Sequence, residues 1–161
     1  MEGYTHHLAG FTDTDFASDT NDRKSTMGWV FTFNGSPISW ASKKQGLITH
    51  SSMEAELVAE SITSAEGIWL IRLGKDFRHD FIPIPVFTDN QSFISFSTND
   101  TMSTRTKHVD THYHYTHNQI TAGTIILDYI LTIKNPANIL TKALPTRKHV
   151  NSLSLLGIHH V

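Results

Sequence analysis

An aromatic and β-branched run at residues 28–33, followed directly by Asn34 and Gly35, restricts the fold more than any other segment. Aromatic and β-branched side chains favour strands because they pack well on a pleated, half-buried surface. Asn-Gly is typical of a two-residue hairpin turn, because both central positions of that turn require a positive φ. Residues 36–42, in which Ile38 and Trp40 alternate with smaller residues, return as a second strand. The sequence therefore predicts an antiparallel hairpin.

The rest of the chain predicts an α/β fold with a five-stranded mixed sheet flanked by helices, three antiparallel strands coming first. Residues 8–16 read as the first strand, and Ser51 with Glu54 forms a capping box that predicts a long helix ending near Gly74. The further predicted elements are a strand at 86–88, a helix at 91–97, a polar loop at 98–107, a helix at 110–121 closed by Gly123, a strand at 124–133, and helices at 137–144 and 148–156 separated by Pro145.

Composition limits the class of protein. The chain has 161 residues, of which 39% are hydrophobic, so it can close one core and is too apolar for wholesale disorder. A formal net charge of −2 excludes a strongly basic nucleic-acid coat protein. Because the sequence has no cysteine, no signal-peptide pattern and no apolar run near the roughly 20 residues that span a bilayer, we expect neither secretion nor a membrane partner. We expect an extension at 1–7, one domain at 8–157 and a tail at 158–161.

Charge is spread unevenly along the chain. Residues 1–22 contain five acidic residues and no Lys or Arg, whereas four basic residues and no acidic residue follow Asp128. Such a pattern fits one fold that holds cations at one place and polyanions beside it. A chance distribution in a short chain is the alternative.

Three carboxylates lie at the ends of predicted elements. Asp13 falls in the middle or at the end of the first strand, Asp89 directly follows residues 86–88, and Glu56 lies in the first turns of the long helix. Sites in open α/β sheets form at the carboxyl ends of strands, and an oxygen-only ligand set suits Mg²⁺. The alternatives are ordinary turn chemistry for the two Asp residues and a solvated helix face for Glu56, which lies near Glu60.

Seven short motifs occur in order from about residue 8 to residue 157. Residues 10–17 read Gly-Phe-Thr-Asp-Thr-Asp-Phe-Ala, residues 51–56 read Ser-Ser-Met-Glu-Ala-Glu, and residues 88–92 read Thr-Asp-Asn-Gln-Ser. The other four are residues 22–26, 38–45, 105–110 and 139–145. This set resembles the ribonuclease H domain of copia-type retrotransposon polyproteins.

The resemblance implies a ribonuclease H-like fold that hydrolyses the RNA strand of RNA–DNA hybrids with two Mg²⁺ ions, for which Mn²⁺ is expected to substitute. By motif, Asp13, Glu56 and Asp89 match the first three catalytic and metal-binding carboxylates, with Asp13 bridging both ions. Asn138 stands where the family has the fourth Asp, so it is expected to be a weak, uncharged ligand. The implied partners are the hybrid and a reverse transcriptase polymerase domain in cis or in trans, and the implied location is the cytoplasm (in a virus-like particle) or the nucleus.

Several departures from the family pattern keep a second function open. Besides Asn138, Thr111-His112 replaces the usual Ile-Arg, and residues 116–119 and 130–134 differ from the family. These changes fit an eroding copy or one kept for something other than cleavage. The alternative function is therefore a catalytically weakened or inactive domain that binds nucleic acid or serves as a scaffold.

Several polar residues are candidates for nucleic-acid binding, since Lys and Arg supply most affinity for phosphates. Ser51 could hold a phosphate at the start of the long helix, in competition with its capping role. His108 and His112 have the i, i+4 spacing of a zinc-binding pair, although a solvent-exposed helix face is the simpler interpretation. The candidate phosphate contacts are Lys43, Lys44, Ser51, Arg105, Lys107 and His108, with a solvated surface as the alternative for each.

Overall fold

A computed structural model describes residues 8–18, 21–98 and 110–159 of the chain. Within these ranges the chain forms five strands, four α-helices and two short 3₁₀-helices. No helix in these ranges is long and apolar enough to cross a bilayer. The strands are β1 (Leu8–Asp15), β2 (Thr26–Phe33), β3 (Ser36–Lys44), β4 (Ile84–Thr88) and β5 (Ile125–Tyr129), and the α-helices are α1 (Ser52–Asp76), α2 (Gln91–Thr98), α3 (Asp110–Thr121) and α4 (Thr146–Leu155).

The five strands form one mixed sheet with the order β3-β2-β1-β4-β5. Strands β1, β2 and β3 pair antiparallel, whereas β4 runs parallel to both β1 and β5. The predicted α/β class and five-stranded mixed sheet are therefore confirmed. The predicted Asn-Gly turn joins β2 to β3, with φ of 50° at Asn34 and 80° at Gly35.

Apolar layers cover both faces of the sheet, which explains why β2 is a continuous apolar run and not an alternating one. The larger layer packs α1 and its neighbours on the sheet and contains Phe31, Leu57 and Phe93. The smaller layer, on Val30, is closed by Ala137 and Leu156. Residues from Met27 to Thr32 are consequently all buried.

Helix α1 begins at the predicted cap. The Ser51 hydroxyl accepts a hydrogen bond from the Glu54 amide at 3.2 Å, as a helix cap should. The Glu54 carboxylate accepts from the His50 amide at 2.6 Å, one residue before the cap, so the reciprocal half of the box is displaced by one position. The helix ends at Asp76, close to the predicted end at Gly74.

Two predicted boundaries near the C-terminus are wrong. The last strand ends at Tyr129 and not at residue 133, because its partner β4 ends at Thr88, whose carbonyl accepts from the Ile130 amide at 2.9 Å. The chain then turns into a 3₁₀-helix, Thr132–Lys134. The helix predicted at 137–144 is instead a 3₁₀-helix, Pro136–Leu140. Its start is held to β1 because the Asn135 side chain donates to Thr12 O at 2.8 Å.

Helix α4 is longer than the one or two turns predicted for residues 148–156. It begins directly after Pro145, which fits because proline has no amide hydrogen and is tolerated at a helix start.

The predicted loop at 98–107 lies outside the described residues apart from Thr98. The predicted extension and tail stay predictions.

Candidate active site

Asp13 and Asp89 lie level with each other at one edge of the sheet. β1 and β4 are parallel neighbours with Phe11 opposite Phe87, and their rings stack 5.3 Å apart. Asp13 and Asp89 each follow that pair by two residues, so the parallel register carries both to the carboxyl ends of adjacent strands. Asp13 is buried, whereas Asp89 is partly exposed.

Glu56 reaches the same edge from α1. The helix packs over β1, where the Thr63 hydroxyl donates to Thr12 Oγ1 at 3.3 Å. Both Glu56 and Glu60 are buried, at 7% and 0% exposure, so the solvated helix face considered for them is wrong. The apolar stripe alone could not show this, because α1 buries every residue from Glu54 to Ser61.

Burial and neighbouring carboxylates raise the pKa values of Asp13 and Glu56. Burial, followed by the charges of Asp13 and Asp89, raises the pKa of Glu56 to about 8. Burial also raises the pKa of Asp13, with a further contribution from Asp89, against the lowering effects of Thr141 and Lys142. The negative charges of carboxylates on β1 and directly after β4 therefore disfavour ionisation of Glu56 on α1.

Two residues that the site prediction did not include contact Asp13 directly. The Thr141 hydroxyl donates to Asp13 Oδ2, and Lys142 Nζ lies 3.2 Å from the same oxygen. Gly28, which pairs with Asp13 on β2, makes this approach possible, because a Cβ there would lie 2.6 Å from Leu140 Cβ. The only indication of Thr141 and Lys142 in the sequence is the motif at 139–145, to which both belong.

Asn138 is buried in the 3₁₀-helix just before these two residues. Its side-chain nitrogen donates to Thr132 O at 2.7 Å and to Asn135 O at 3.0 Å. Its Oδ1 is buried and has no hydrogen-bond partner among the described residues. The backbone therefore fixes the amide nitrogen, and the oxygen is left available to a ligand.

The carboxylate and amide oxygens at this edge of the sheet are of the kind that binds a hard divalent cation, although they are not already arranged around one point. Within the described ranges, no group of three or more His, Asp or Glu side chains converges on one point as metal ligands do. Glu56 Oε2 and Asn138 Oδ1 are nevertheless buried oxygens without partners in this part of the chain. Oxygen ligands are the ones that Mg²⁺ prefers, so these residues suit the ion in kind.

Three of the six predicted nucleic-acid contacts, Lys43, Lys44 and Ser51, lie within the described residues. Lys44 Nζ pairs with Asp22 Oδ2 at 3.1 Å, and Lys43 Nζ lies 5.3 Å from the centre of the Trp29 ring. Ser51 caps α1. Arg105, Lys107 and His108 lie outside the described residues.

The histidines of α3 have separate partners. His112 Nδ1 lies 2.9 Å from Ser61 Oγ, and burial lowers the pKa of its ring. His114 pairs with Asp110 at 3.2 Å, while His117 Nδ1 lies 3.1 Å from Ser97 O. These three side chains do not form a zinc site within the described part of the chain.

Comparison with known proteins shows two kinds of similarity. The chain is 39% identical over 152 residues to the Retrovirus-related Pol polyprotein from transposon TNT 1-94 of Nicotiana tabacum, a match that covers 94% of this chain. It is 33% identical over 161 residues to the corresponding polyprotein from transposon RE2 of Arabidopsis thaliana, covering 98% of this chain. The chain spans 11% of the length of each of these relatives. No protein-family model matches it.

Solved structures show the fold. RNase H1 from Halobacterium salinarum superposes with a TM-score of 0.56 at 15% identity, covering 83% of this chain and 93% of that chain. LC11-RNase H1 in complex with an RNA/DNA hybrid gives a TM-score of 0.55 at 14% identity with the same coverage. The chain is therefore homologous to one segment of copia-type retrotransposon Pol polyproteins, and it has the ribonuclease H fold.

Proposed function

We propose that this chain hydrolyses the RNA strand of RNA–DNA hybrids by a mechanism that uses two divalent cations, Mg²⁺ or Mn²⁺. The observation that carries the proposal is that Asp13 and Asp89 lie level on adjacent parallel strands, while Glu56 of α1 lines one pocket with Asp89. The ribonuclease H fold and the homology to Pol polyproteins support the same reaction class.

The carboxylates of Asp13, Glu56 and Asp89 would hold the cations together with Oδ1 of Asn138. When bound, a pair of such ions stabilises both the attacking and the leaving oxygen of a phosphoryl transfer. The water oxygen bonds to phosphorus and gives up one proton to solvent, while the bond to the leaving ribose oxygen breaks and that oxygen takes up one proton from solvent. Thr141 orients the Asp13 carboxylate through its hydroxyl, so that this carboxylate keeps one position as the cations enter.

The alternative, a nucleic-acid-binding or scaffold domain with a weak metal site, is favoured by Asn138. An amide oxygen supplies a ligand atom but no negative charge. This alternative predicts hybrid binding with little or no cleavage at any Mg²⁺ concentration.

We also propose that the chain works beside a reverse transcriptase polymerase domain in cis or in trans. The support is its homology to about a tenth of longer Pol polyproteins. On this proposal the chain acts in reverse transcription inside the cell, in the cytoplasm or the nucleus.

Cleavage of a labelled RNA strand tests the proposal, with the RNA presented in a hybrid, in duplex RNA and as a single strand. We expect Mg²⁺-dependent cleavage of the hybrid alone, abolished by EDTA and by Asp13→Asn. Asp76→Asn, at the exposed end of α1, is the matched control and should cleave like the parent. Cleavage by Asp13→Asn at the parent's rate would contradict the site, and a parent that binds hybrid without cutting it would favour the scaffold function.

A further inference from the structure

A cleft of about 910 Å³ opens beside the candidate active site, between the two 3₁₀-helices and the start of α4. Its volume lies within the range of roughly 300–1,000 Å³ that is typical of small-molecule sites. Asn138 and Lys142 line it, and Lys142 also contacts Asp13. The cleft therefore adjoins Asp13 through Lys142.

The cleft is cationic. Lys142, Arg147 and Lys148 line it, and no Asp or Glu does. Within the described residues, neither Arg147 nor Lys148 has an acidic partner, and the chain has no acid after Asp128. Arg147 and Lys148 also lie in the first turn of α4, where cations are unfavourable because a helix N-terminus is already partly positive. Such a concentration of positive charge, at a local cost in stability, indicates an anionic ligand.

Apolar side chains line the same cleft. Ile133 is 70% exposed, and Leu144 and Pro145 lie with it along the lining. A bare phosphate would leave the apolar lining unused, and an apolar peptide would leave Arg147 and Lys148 unpaired. A nucleotide combines an anionic phosphate with an apolar base, so it matches both features.

We propose that this cleft binds one nucleotide unit of the strand being cut, next to the scissile phosphate. Its phosphate lies against Arg147 and Lys148, and its base or sugar lies against Ile133 and Pro145. The inference rests on the proposed function, because it assumes that the carboxylates beside the cleft act on a phosphodiester. A neighbouring unit held in this way fixes the scissile phosphate relative to Asp13, and such positioning accelerates reactions.

Binding in EDTA tests the cleft separately from cleavage. The probe is a fluorescent RNA–DNA hybrid, titrated by anisotropy at several salt concentrations. The double variant Arg147→Ala/Lys148→Ala should flatten the dependence of log K on log salt by about 0.9 for each phosphate that it no longer neutralises. The control Lys75→Ala/Arg78→Ala removes the same charge at the end of α1 and should keep the parent's slope. Equal slopes for the two double variants would overturn the inference.

A second measurement tests the apolar lining. With ¹³C-methyl labels on Ile and Leu, millimolar adenosine monophosphate should shift the resonances of Ile133 and Leu144, and Arg147→Ala/Lys148→Ala should abolish the shifts. Adenosine and ribose 5-phosphate, which each lack one half of the ligand, should shift them less. Absence of any shift with the monophosphate would overturn the inference. Shifts in a chain that does not cleave hybrid would support the cleft while contradicting only the proposed hydrolysis.

Discussion

Lys142 Nζ lies 3.2 Å from Oδ2 of Asp13, and the two side chains differ in exposure, at 35% for Lys142 and 3% for Asp13. The Lys142 ammonium group can turn toward solvent, whereas the buried Asp13 carboxylate cannot. Thr141 donates to the same carboxylate oxygen. A divalent cation that binds Oδ2 of Asp13 would have to displace the ammonium group of Lys142, which is the counter-ion of this carboxylate.

Replacing Lys142 by Gln should therefore strengthen Mg²⁺ binding. A partly exposed ion pair is worth about 0–1 kcal/mol, which corresponds to an increase in affinity of up to about fivefold. Isothermal titration of the chain with Mg²⁺ measures the change. Lys134→Gln removes an equal charge from a neighbouring 3₁₀-helix and is the control. Unchanged affinity for Lys142→Gln, or an equal gain in both variants, would contradict the counter-ion role.

Glu60 makes stability depend on pH. Its side chain is fully buried, one oxygen accepts from Ser64 Oγ at 3.1 Å, and burial raises its pKa from 4.5 to about 8. Since the pKa in the folded state is above that in the unfolded state, the stability present below pH 4.5 is lost as pH rises toward 8. Glu60→Gln stays neutral at every pH. Its Tm should match the parent's near pH 4.5 and exceed it increasingly up to about pH 8, by several degrees.

The check is thermal unfolding of parent and variant across this pH range. Asp76→Asn, which neutralises an exposed carboxylate on the same helix, should show no comparable divergence. A constant difference in Tm between Glu60→Gln and the parent at all pH values would show that Glu60 does not titrate between 4.5 and 8.

Ser51 can be tested for its two candidate roles at once. Ser51→Ala removes the cap of α1 and should lower the free energy of unfolding by about 1 kcal/mol, or the Tm by roughly 2–4 °C. Ser51→Asp keeps a capping oxygen but adds a negative charge. If Ser51 only caps, Ser51→Asp should keep both the parent's Tm and its hybrid affinity. A normal Tm with a weakened affinity that depends less steeply on salt would instead place a phosphate at this helix start.

The sequence predicted the sheet and the positions of the carboxylates because their signals are short-range. The Asn-Gly pair, the cap at Ser51 and the strand before Asp89 each occupy a few neighbouring residues. The long-range contacts had no such signal, since 128 residues separate Thr141 from Asp13 and 123 separate Asn135 from Thr12.

The same distinction explains the misplaced elements. The β-branched run at 130–133 looks like strand by propensity, but β5 ends at Tyr129 and leaves Ile133 exposed at the cleft. Residues 137–144 look helical, but the bond from Asn135 to β1 holds a 3₁₀-helix there instead. Glu60 looks solvated on a helical wheel, yet α1 buries it completely. In each case tertiary contacts override a local preference.

Asn138 gives the sharpest test of whether this chain is a weakened enzyme. A carboxylate there would add charge beside the second cation, and metal-assisted stabilisation is worth several kcal/mol of the barrier. Each 1.36 kcal/mol is tenfold in rate, so Asn138→Asp should raise hybrid cleavage by about 10²–10³-fold, most visibly at low Mg²⁺.

The structure adds an opposing effect on stability. The Asn138 amide nitrogen donates to Thr132 O at 2.7 Å and to Asn135 O at 3.0 Å, and a carboxylate could make neither bond and would be repelled by both carbonyls. Both carbonyls keep a backbone donor, since the Asn135 amide donates to Thr132 O at 3.2 Å and the Asn138 amide to Asn135 O at 3.4 Å. The loss is therefore that of two hydrogen bonds of about 0.5–1.5 kcal/mol each. Without metal the variant's Tm should fall by roughly 2–12 °C, and it should recover as Mg²⁺ is added. Asn118→Asp on the exposed face of α3 is the control, and its Tm should not respond to Mg²⁺. Thermal unfolding and hybrid cleavage across one Mg²⁺ series measure both effects. A variant that loses stability without metal-dependent recovery, and gains no rate, would show that position 138 does not face a cation.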